Sequence, residues 1–189
     1  QASFLNIKNV LAIKKLISTN KDDFNEFIHH AFVGITCLNN LKIFIPNFMY
    51  NFGLKINEKV IIMENISGIT FFDWLQSKDF NIKDYFWIMI QLALSLHLAQ
   101  SEFCFMHYDL YPWNIILKIY EKPIEIKYRI KNCKFYSIKT NIVPVIIDYG
   151  KSHVVYNNIQ YGIVNLYNAN KIQDIITIMI SSLYLISVK

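Results

Sequence analysis

The stretch Phe103–Leu117, FCFMHYDLYPWNIIL, restricts the fold of this chain more than any other. It is entered from Ile82–Gln100, whose length and near-continuous hydrophobicity predict a buried helix. It leaves into Ile115–Ile119, an apolar, β-branched run that reads as a strand. Between the two, a short loop must turn while presenting His107, Asp109 and Asn114. A second apolar strand, Val143–Ile147, stops at Asp148-Tyr149-Gly150, so that its aspartate projects from a sheet edge. A long helix feeding a polar loop set against strand ends calls for a mixed α+β fold.

Those residue types suit phosphoryl transfer. That chemistry needs a base or orienter for the acceptor hydroxyl, oxygen ligands for Mg²⁺ and a cation on the nucleotide phosphates. Asp109 is the candidate base. Asn114 and Asp148 offer the hard oxygens that Mg²⁺ prefers. Lys14, on a strand expected over Val10–Leu16, is the candidate cation. Each element taken singly is an ordinary loop, turn or solvated lysine; it is their order and their places at strand ends that make a constellation.

With 189 residues, 53% of them hydrophobic, the chain has core enough for one domain or one small domain of two lobes. Five glycines and four prolines argue against a disordered chain. Cys37, Cys104 and Cys133 are odd in number and far apart, which excludes a disulfide framework or zinc pattern and points to a reducing compartment, cytoplasmic or nuclear. Much of the net charge of +5 falls in 118–139, where alternation with apolar residues predicts the wet face of a hairpin, attraction to an acidic partner being the alternative. No nucleic-acid motif accompanies it, so nucleic acid is not an expected partner. Tyr85–Ala99 is short for a membrane span and contains Gln91, Ser95 and His97, so a core helix is expected there; no secretory signal is visible.

Elsewhere, Asn20–Asp23 offers helix-capping residues, and Phe27, Ile28, Ala31, Ile35 and Leu38 recur at helical spacing, predicting an amphipathic helix that stops before Pro46. Asn47–Phe52 and Lys59–Met63 read as strands, Thr70–Gln76 as a helix start, and Ile124–Ile130 with Phe135–Ile138 as a separate hairpin. The segment after Gly150 reads as loop until a second apolar helix, Lys171–Ser187. His97 and the tryptophans Trp74, Trp87 and Trp113 read as core residues.

On these residues the chain resembles the protein-kinase-like superfamily. Val10–Lys14 resembles the VAIK strand, Met63–Ser67 the hinge, His107–Asn114 the HRDLxxxN catalytic loop and Asp148–Gly150 the DFG motif. IPNF, HYDLYPWNIIL and VPVIIDYGKSH look most like haspin-like kinases and kinases of large DNA viruses. The resemblance implies a two-lobed kinase-like fold: a small β-rich lobe over about 1–63, a hinge over about 64–68 and a helical lobe over about 69–189. It implies ATP and Mg²⁺ as cofactors and a protein serine or threonine as acceptor. Asp109 would then be the catalytic aspartate and Asn114 and Asp148 the metal ligands. Lys14 would hold nucleotide phosphates, while Glu64, Asn65 and Ile66 border the adenine. His107, Tyr149, Gly150 and Asp174 would support the site, Asp174 by holding the backbone of the catalytic loop.

The chain also departs from the pattern. No glycine precedes Lys14, so the glycine-rich loop and first strand are expected to lie outside these residues, as are the last helices of the large lobe. The place of the lysine-pairing glutamate holds His29 and His30; Glu26, one turn earlier, is the nearest candidate. Tyr108 and Tyr111 stand where kinases commonly carry an arginine and a lysine, and no APE motif lies between Gly150 and Asp174. A small-molecule kinase of the aminoglycoside or choline type and a catalytically silent pseudokinase scaffold therefore remain open alternatives.

Overall fold

The computed structural model describes residues 11–130, 134–162 and 170–188. Among the described residues, two antiparallel three-stranded sheets, a small hairpin and five α-helices make an α+β arrangement. The first sheet has the order β1-β3-β2, with β1 at Leu11–Lys15, β2 at Asn51–Lys55 and β3 at Val60–Glu64. Alternation buries Ile61 and Met63 of the central strand on one face.

Between β1 and β2 runs one helical stretch: α1 at Lys21–Phe32, a π-helical turn at Val33–Leu38 and α2 at Asn39–Lys42. Asn20 caps α1 by accepting from the Asp22 N–H at 2.9 Å, and Asp22 and Asp23 sit at its positive end. The π turn is the place of closest approach to β2. A Cβ on Gly34 would lie 2.2 Å from the Asn51 side-chain nitrogen, so only glycine fits. One turn on, Asn39 bonds both backbone groups of Asn51: its Nδ2 donates to the carbonyl at 2.7 Å, and its Oδ1 accepts from the N–H at 3.0 Å. Gly34→Ala is therefore expected to destabilise the protein by about 1–3 kcal/mol, the cost of overpacking a closed contact. A urea titration checks this; an unchanged midpoint would show that Asn51 moves aside freely.

The second sheet has the order β4-β5-β6. It joins β4, Ile69–Thr70, to a long ribbon of β5, Ile115–Ile130, and β6, Lys134–Ile146. The separate strands and hairpin expected from the sequence thus merge into two long strands. Pro123 lacks a donor and falls in the irregularity between Ile119 and Ile124, where a bulge absorbs it instead of ending the pairing. Ile126, Tyr128 and Ile138 of the ribbon are buried, while Lys122, Lys127, Arg129, Lys134 and Lys139 are exposed, as expected for a wet face. Val10, Lys131 and Cys133 lie outside the described residues; Cys37 is buried and Cys104 exposed, both as free thiols.

Thr70 caps α3, Phe71–Gln76, and Asn81 caps α4, Ile82–Phe103. The α4 side chains Tyr85, Ile88, Leu92, Leu96 and Ala99 are buried, and Cys104 closes the helix in a left-handed conformation (φ 48°). Among the described residues, no helix is long and apolar enough to cross a membrane. A hairpin follows the second sheet where the residue pattern predicts loop: β7 at Val154–Tyr156 and β8 at Ile159–Tyr161. Its turn residues Asn157 and Asn158 both have positive φ, the geometry that matches strand twist in a two-residue turn. Helix α5, Gln173–Ser187, buries Asp174, Ile178 and Ser182 and exposes Ile180, Leu183 and Tyr184, so it is less enclosed than its composition suggests. Of the residues expected in the core, Trp74 is there; Trp87 and Trp113 are partly exposed and His97 is half-buried.

Candidate functional site

The loop after α4 is held from three sides. Asp174, buried on α5, accepts from the His107 N–H at 2.7 Å and the Tyr108 N–H at 3.0 Å. His107, fully buried, donates from Nε2 to the Ile147 carbonyl at 2.9 Å and accepts from the Asp109 N–H on Nδ1 at 3.3 Å. One neutral tautomer satisfies both bonds, so the ring is fixed in place. Met106 and His153 exchange backbone bonds at 2.9 and 2.7 Å.

Strand register then delivers the second aspartate. Ile115 pairs with Ile146, and the Ile147 N–H donates to the Asn114 carbonyl at 3.0 Å. Asp148 is the next residue, with a left-handed φ of 60°. Asn114, itself buried, donates from Nδ2 to the Asp109 carbonyl at 2.8 Å and to its Oδ2 at 3.2 Å, which leaves the amide oxygen at the other end of the group. Lys151 stands 3.9 Å from Asp109 Oδ2. Asp109, Asn114 and Asp148 therefore gather on one edge of the β5–β6 pair.

Lys14, on β1, reaches this edge from the other sheet: its Nζ lies 2.8 Å from Asp148 Oδ1. That corrects the expectation that Glu26 pairs with Lys14. Among the described residues the ion pair of Lys14 is with Asp148, and Glu26 instead packs where a Cβ on Gly150 would fall, 2.7 Å from Glu26 Cγ. His30, one turn after Glu26, places Nδ1 3.0 Å from Asp148 Oδ1. Burial alone would raise the Asp148 pKa, but the His30 bond and the charge of Lys14 together hold it well below the usual carboxylate range. Asp148 is thus an ionised carboxylate with both contacts on one oxygen.

Tyr149 is buried, donates its hydroxyl to the Ile146 carbonyl at 2.9 Å and stacks on His30 at 5.4 Å. Tyr111 stacks on Trp113 at 4.7 Å. At the expected hinge, the Glu64 carboxylate is engaged by Lys42 and Lys118, and Ile66 is buried. Glu64 and Ile66 consequently offer a ligand main chain more than side chain.

Among the described residues, no three His, Cys, Asp or Glu side chains cluster as a complete metal cage. An ionised Asp148 beside an asparagine amide instead suits a Mg²⁺ that keeps waters or phosphate oxygens as its other ligands. A cleft of about 490 Å³ borders this edge, lined by Glu26, His29, Gly150 and Lys151 among others. A larger, apolar cavity of about 540 Å³ lies apart from it, between Phe44, Phe103 and Phe135.

Sequence reasoning missed the roles of His30 and Lys151. His30 had a signal, since it occupies the helix position where a charge partner was sought. Lys151 had none beyond adjacency to Gly150. The imidazoles His29, His30 and His153 are all held below their ordinary pKa, chiefly by burial. Their folded values lie below their unfolded ones, so the unfolded chain binds more protons. Stability is expected to be full above about pH 6.5 and to fall as the pH drops below it. Urea midpoints at pH 7.5 and 5.5 check the sign; a higher midpoint at pH 5.5 would contradict it.

No protein-family model matches the chain. Over 190 residues it is 33% identical to Uncharacterized protein 035R of Invertebrate iridescent virus 3, covering 84% of this chain and 17% of that protein. Over 186 residues it is 37% identical to Uncharacterized protein 179R of Invertebrate iridescent virus 6, covering 83% and 16%. Over 148 residues it is 34% identical to the protein named Probable kinase 098L of Invertebrate iridescent virus 3, covering 77% and 28%. The chain therefore spans between about a sixth and somewhat over a quarter of the length of these viral relatives. Of the three, 098L is the one whose name carries a chemistry, that of a kinase.

Proposed function

We propose that this chain forms the catalytic part of an ATP- and Mg²⁺-dependent phosphotransferase that moves the γ-phosphate to a serine or threonine hydroxyl of a protein. The observation that carries the reading is the gathering of Asp109, Asn114 and Asp148 on one edge of the β5–β6 pair, with Lys14 bonded to Asp148 from the other sheet. The similarity to a viral protein named as a kinase supports it. In this reading β1–β3 with α1 and α2 form the small lobe (about 1–63), 64–68 the hinge and 69–189 the large lobe. ATP would bind between them, with the main chain of Glu64, Asn65 and Ile66 offered to its adenine.

Asp109 orients the acceptor hydroxyl. As its oxygen bonds to the γ-phosphorus, the bond from that phosphorus to the bridging oxygen of ADP breaks, and the hydroxyl proton passes to the Asp109 carboxylate. Asn114 and Asp148 would hold Mg²⁺, which would supply positive charge against that of the phosphates. Lys14 exchanges its bond to Asp148 for the α- and β-phosphates. Lys151, beside Asp109, brings a positive charge to a loop in which Tyr108 and Tyr111 bring none. Asp174 and His107 keep the loop in shape, while Tyr149 and Gly150 set the direction of Asp148.

Incubation with γ-labelled ATP, Mg²⁺ and panels of peptides, small amines and alcohols tests this reading. Label on peptide hydroxyls is expected. Label on small molecules alone would replace the acceptor class, and no Mg²⁺-dependent label on any acceptor would sink phosphotransfer. One observation favours a second reading, a nucleotide-binding scaffold without turnover: Lys14 is engaged by Asp148 and not by a helix glutamate. An ATP-induced thermal shift without label transfer would select it.

A further inference from the structure

The place of the helix glutamate is taken by an imidazole, and that imidazole bonds the aspartate rather than the lysine. We propose that His30 is the positioning residue that holds the Asp148 carboxylate in line for its cation when Lys14 turns to the nucleotide; this rests on the phosphotransfer reading above.

Three features carry the inference. First, Lys14 and His30 share a single acceptor, Asp148 Oδ1, at 2.8 and 3.0 Å, so Oδ2 is left to face a cation. Second, the two partners differ in freedom. Lys14 is a long side chain on a strand with 37% of its side chain exposed, whereas the His30 side chain is 1% exposed. A flexible ammonium can move from carboxylate to phosphate, whereas a buried ring cannot follow it. His30 therefore stays with Asp148 when Lys14 leaves. Third, His30 packs on the residue that follows Asp148: its ring stacks on the Tyr149 ring at 5.4 Å. Its Nδ1 carries the proton given to Asp148, so the Tyr149 nitrogen 3.1 Å away is a neighbour of that nitrogen and not its donor.

The seat of the imidazole is itself built from several elements. The Asn51 side chain adjoins His30. Asn51 fits there because Gly34 has no Cβ and because Asn39 bonds its main chain on both sides. A carboxylate in this position would repel Asp148 and draw Lys14 away from it. An imidazole adds a hydrogen bond to Asp148 without adding a negative charge.

Amide hydrogen exchange on the nucleotide-free protein tests the role without relying on activity. His30→Phe keeps a stacking ring and removes the nitrogen; His30→Asn returns a polar nitrogen near the same place. Exchange at Tyr149, which follows Asp148, is expected to rise about tenfold in His30→Phe as the Asp148 carboxylate loses its anchor, and to return toward wild type in His30→Asn. A nitrogen-15 spectrum of the wild-type ring is expected to place the proton on Nδ1; a proton on Nε2, with Nδ1 accepting from the Tyr149 N–H, overturns the inference. Exchange along α4 should not change. Lys14→Met gives the complementary arm if His30→Phe fails to fold: with His30 intact, Tyr149 exchange should stay at the wild-type rate. With ATP present, His30→Phe should need about tenfold more Mg²⁺ for half of the thermal shift, while the shift with ATP alone stays unchanged.

Unchanged Tyr149 exchange in a folded His30→Phe protein, or a tenfold rise in Lys14→Met, overturns the inference. A wild-type protein that shows no Mg²⁺-dependent shift with ATP overturns the phosphotransfer reading instead, and the exchange arms still decide whether His30 holds Asp148.

Discussion

Asp109→Asn is expected to keep the fold and to lower phosphate transfer by about 10²- to 10⁴-fold, the range for removal of a positioned proton acceptor. The side chains are nearly identical in shape, so the loop held by His107 and Asp174 need not move. What changes is chemistry. An amide cannot take the hydroxyl proton, and it meets the Asn114 Nδ2, now 3.2 Å from a carboxylate oxygen, with a neutral group. The ion pair with Lys151 is also lost, but at 3.9 Å with Lys151 half exposed it contributes under about 1 kcal/mol. Initial rates with labelled ATP and urea midpoints, measured on the same preparations, separate the two effects. Equal rates in the two proteins would remove Asp109 from the mechanism; a collapse of stability would make it a structural residue.

Asp174→Ala is expected to give the largest loss of stability of any single change around the site. Its carboxylate is buried and accepts from two consecutive backbone N–H groups, those of His107 and Tyr108. Alanine leaves both donors without a partner. At about 1–3 kcal/mol for each buried orphan, the loss is roughly 2–6 kcal/mol, a large share of the stability of an ordinary domain. Tyr108 has a left-handed φ of 60°, a costly conformation for a non-glycine residue, and one of the two lost bonds is the one made by its own N–H. Asp174→Asn retains one acceptor and should fall between the two. A chemical denaturation series checks the order; a change below about 0.5 kcal/mol for Asp174→Ala would mean that water replaces the carboxylate.

Local features of the chain were legible because they depend on residues near one another in sequence. The cap at Asn20, the helical spacing through Leu38, the long helix from Ile82 and the strand after Asn114 all appear close to where residue pattern places them. The hairpin at 154–161 also carries a local signal: Asn157-Asn158 between Val154–Tyr156 and Ile159–Tyr161, two short runs rich in β-branched and aromatic residues, is a two-residue turn pattern, and both asparagines adopt the positive φ such turns need. The merging of strands into the long ribbon was less legible. Pro123 argues locally for a break, and only pairing with β6 shows that the ladder resumes beyond it.

By itself, then, the sequence determined the loop from His107 to Asn114, the strand that ends at Asp148 and the mixed α+β class, since each follows from periodicity, capping and β-branching within a few residues. Only the tertiary structure decided which groups meet. Lys14 and His30 touch Asp148 across 134 and 118 residues of chain, and Glu26, the nearest carboxylate by helical spacing, packs against Gly150 instead. The reason is steric as much as electrostatic. Helical periodicity tells which face of α1 is turned inward, but the contact made by each residue on that face depends on how closely the helix can approach β2. That approach is set by a missing Cβ at Gly34 and by the two bonds from Asn39 to Asn51.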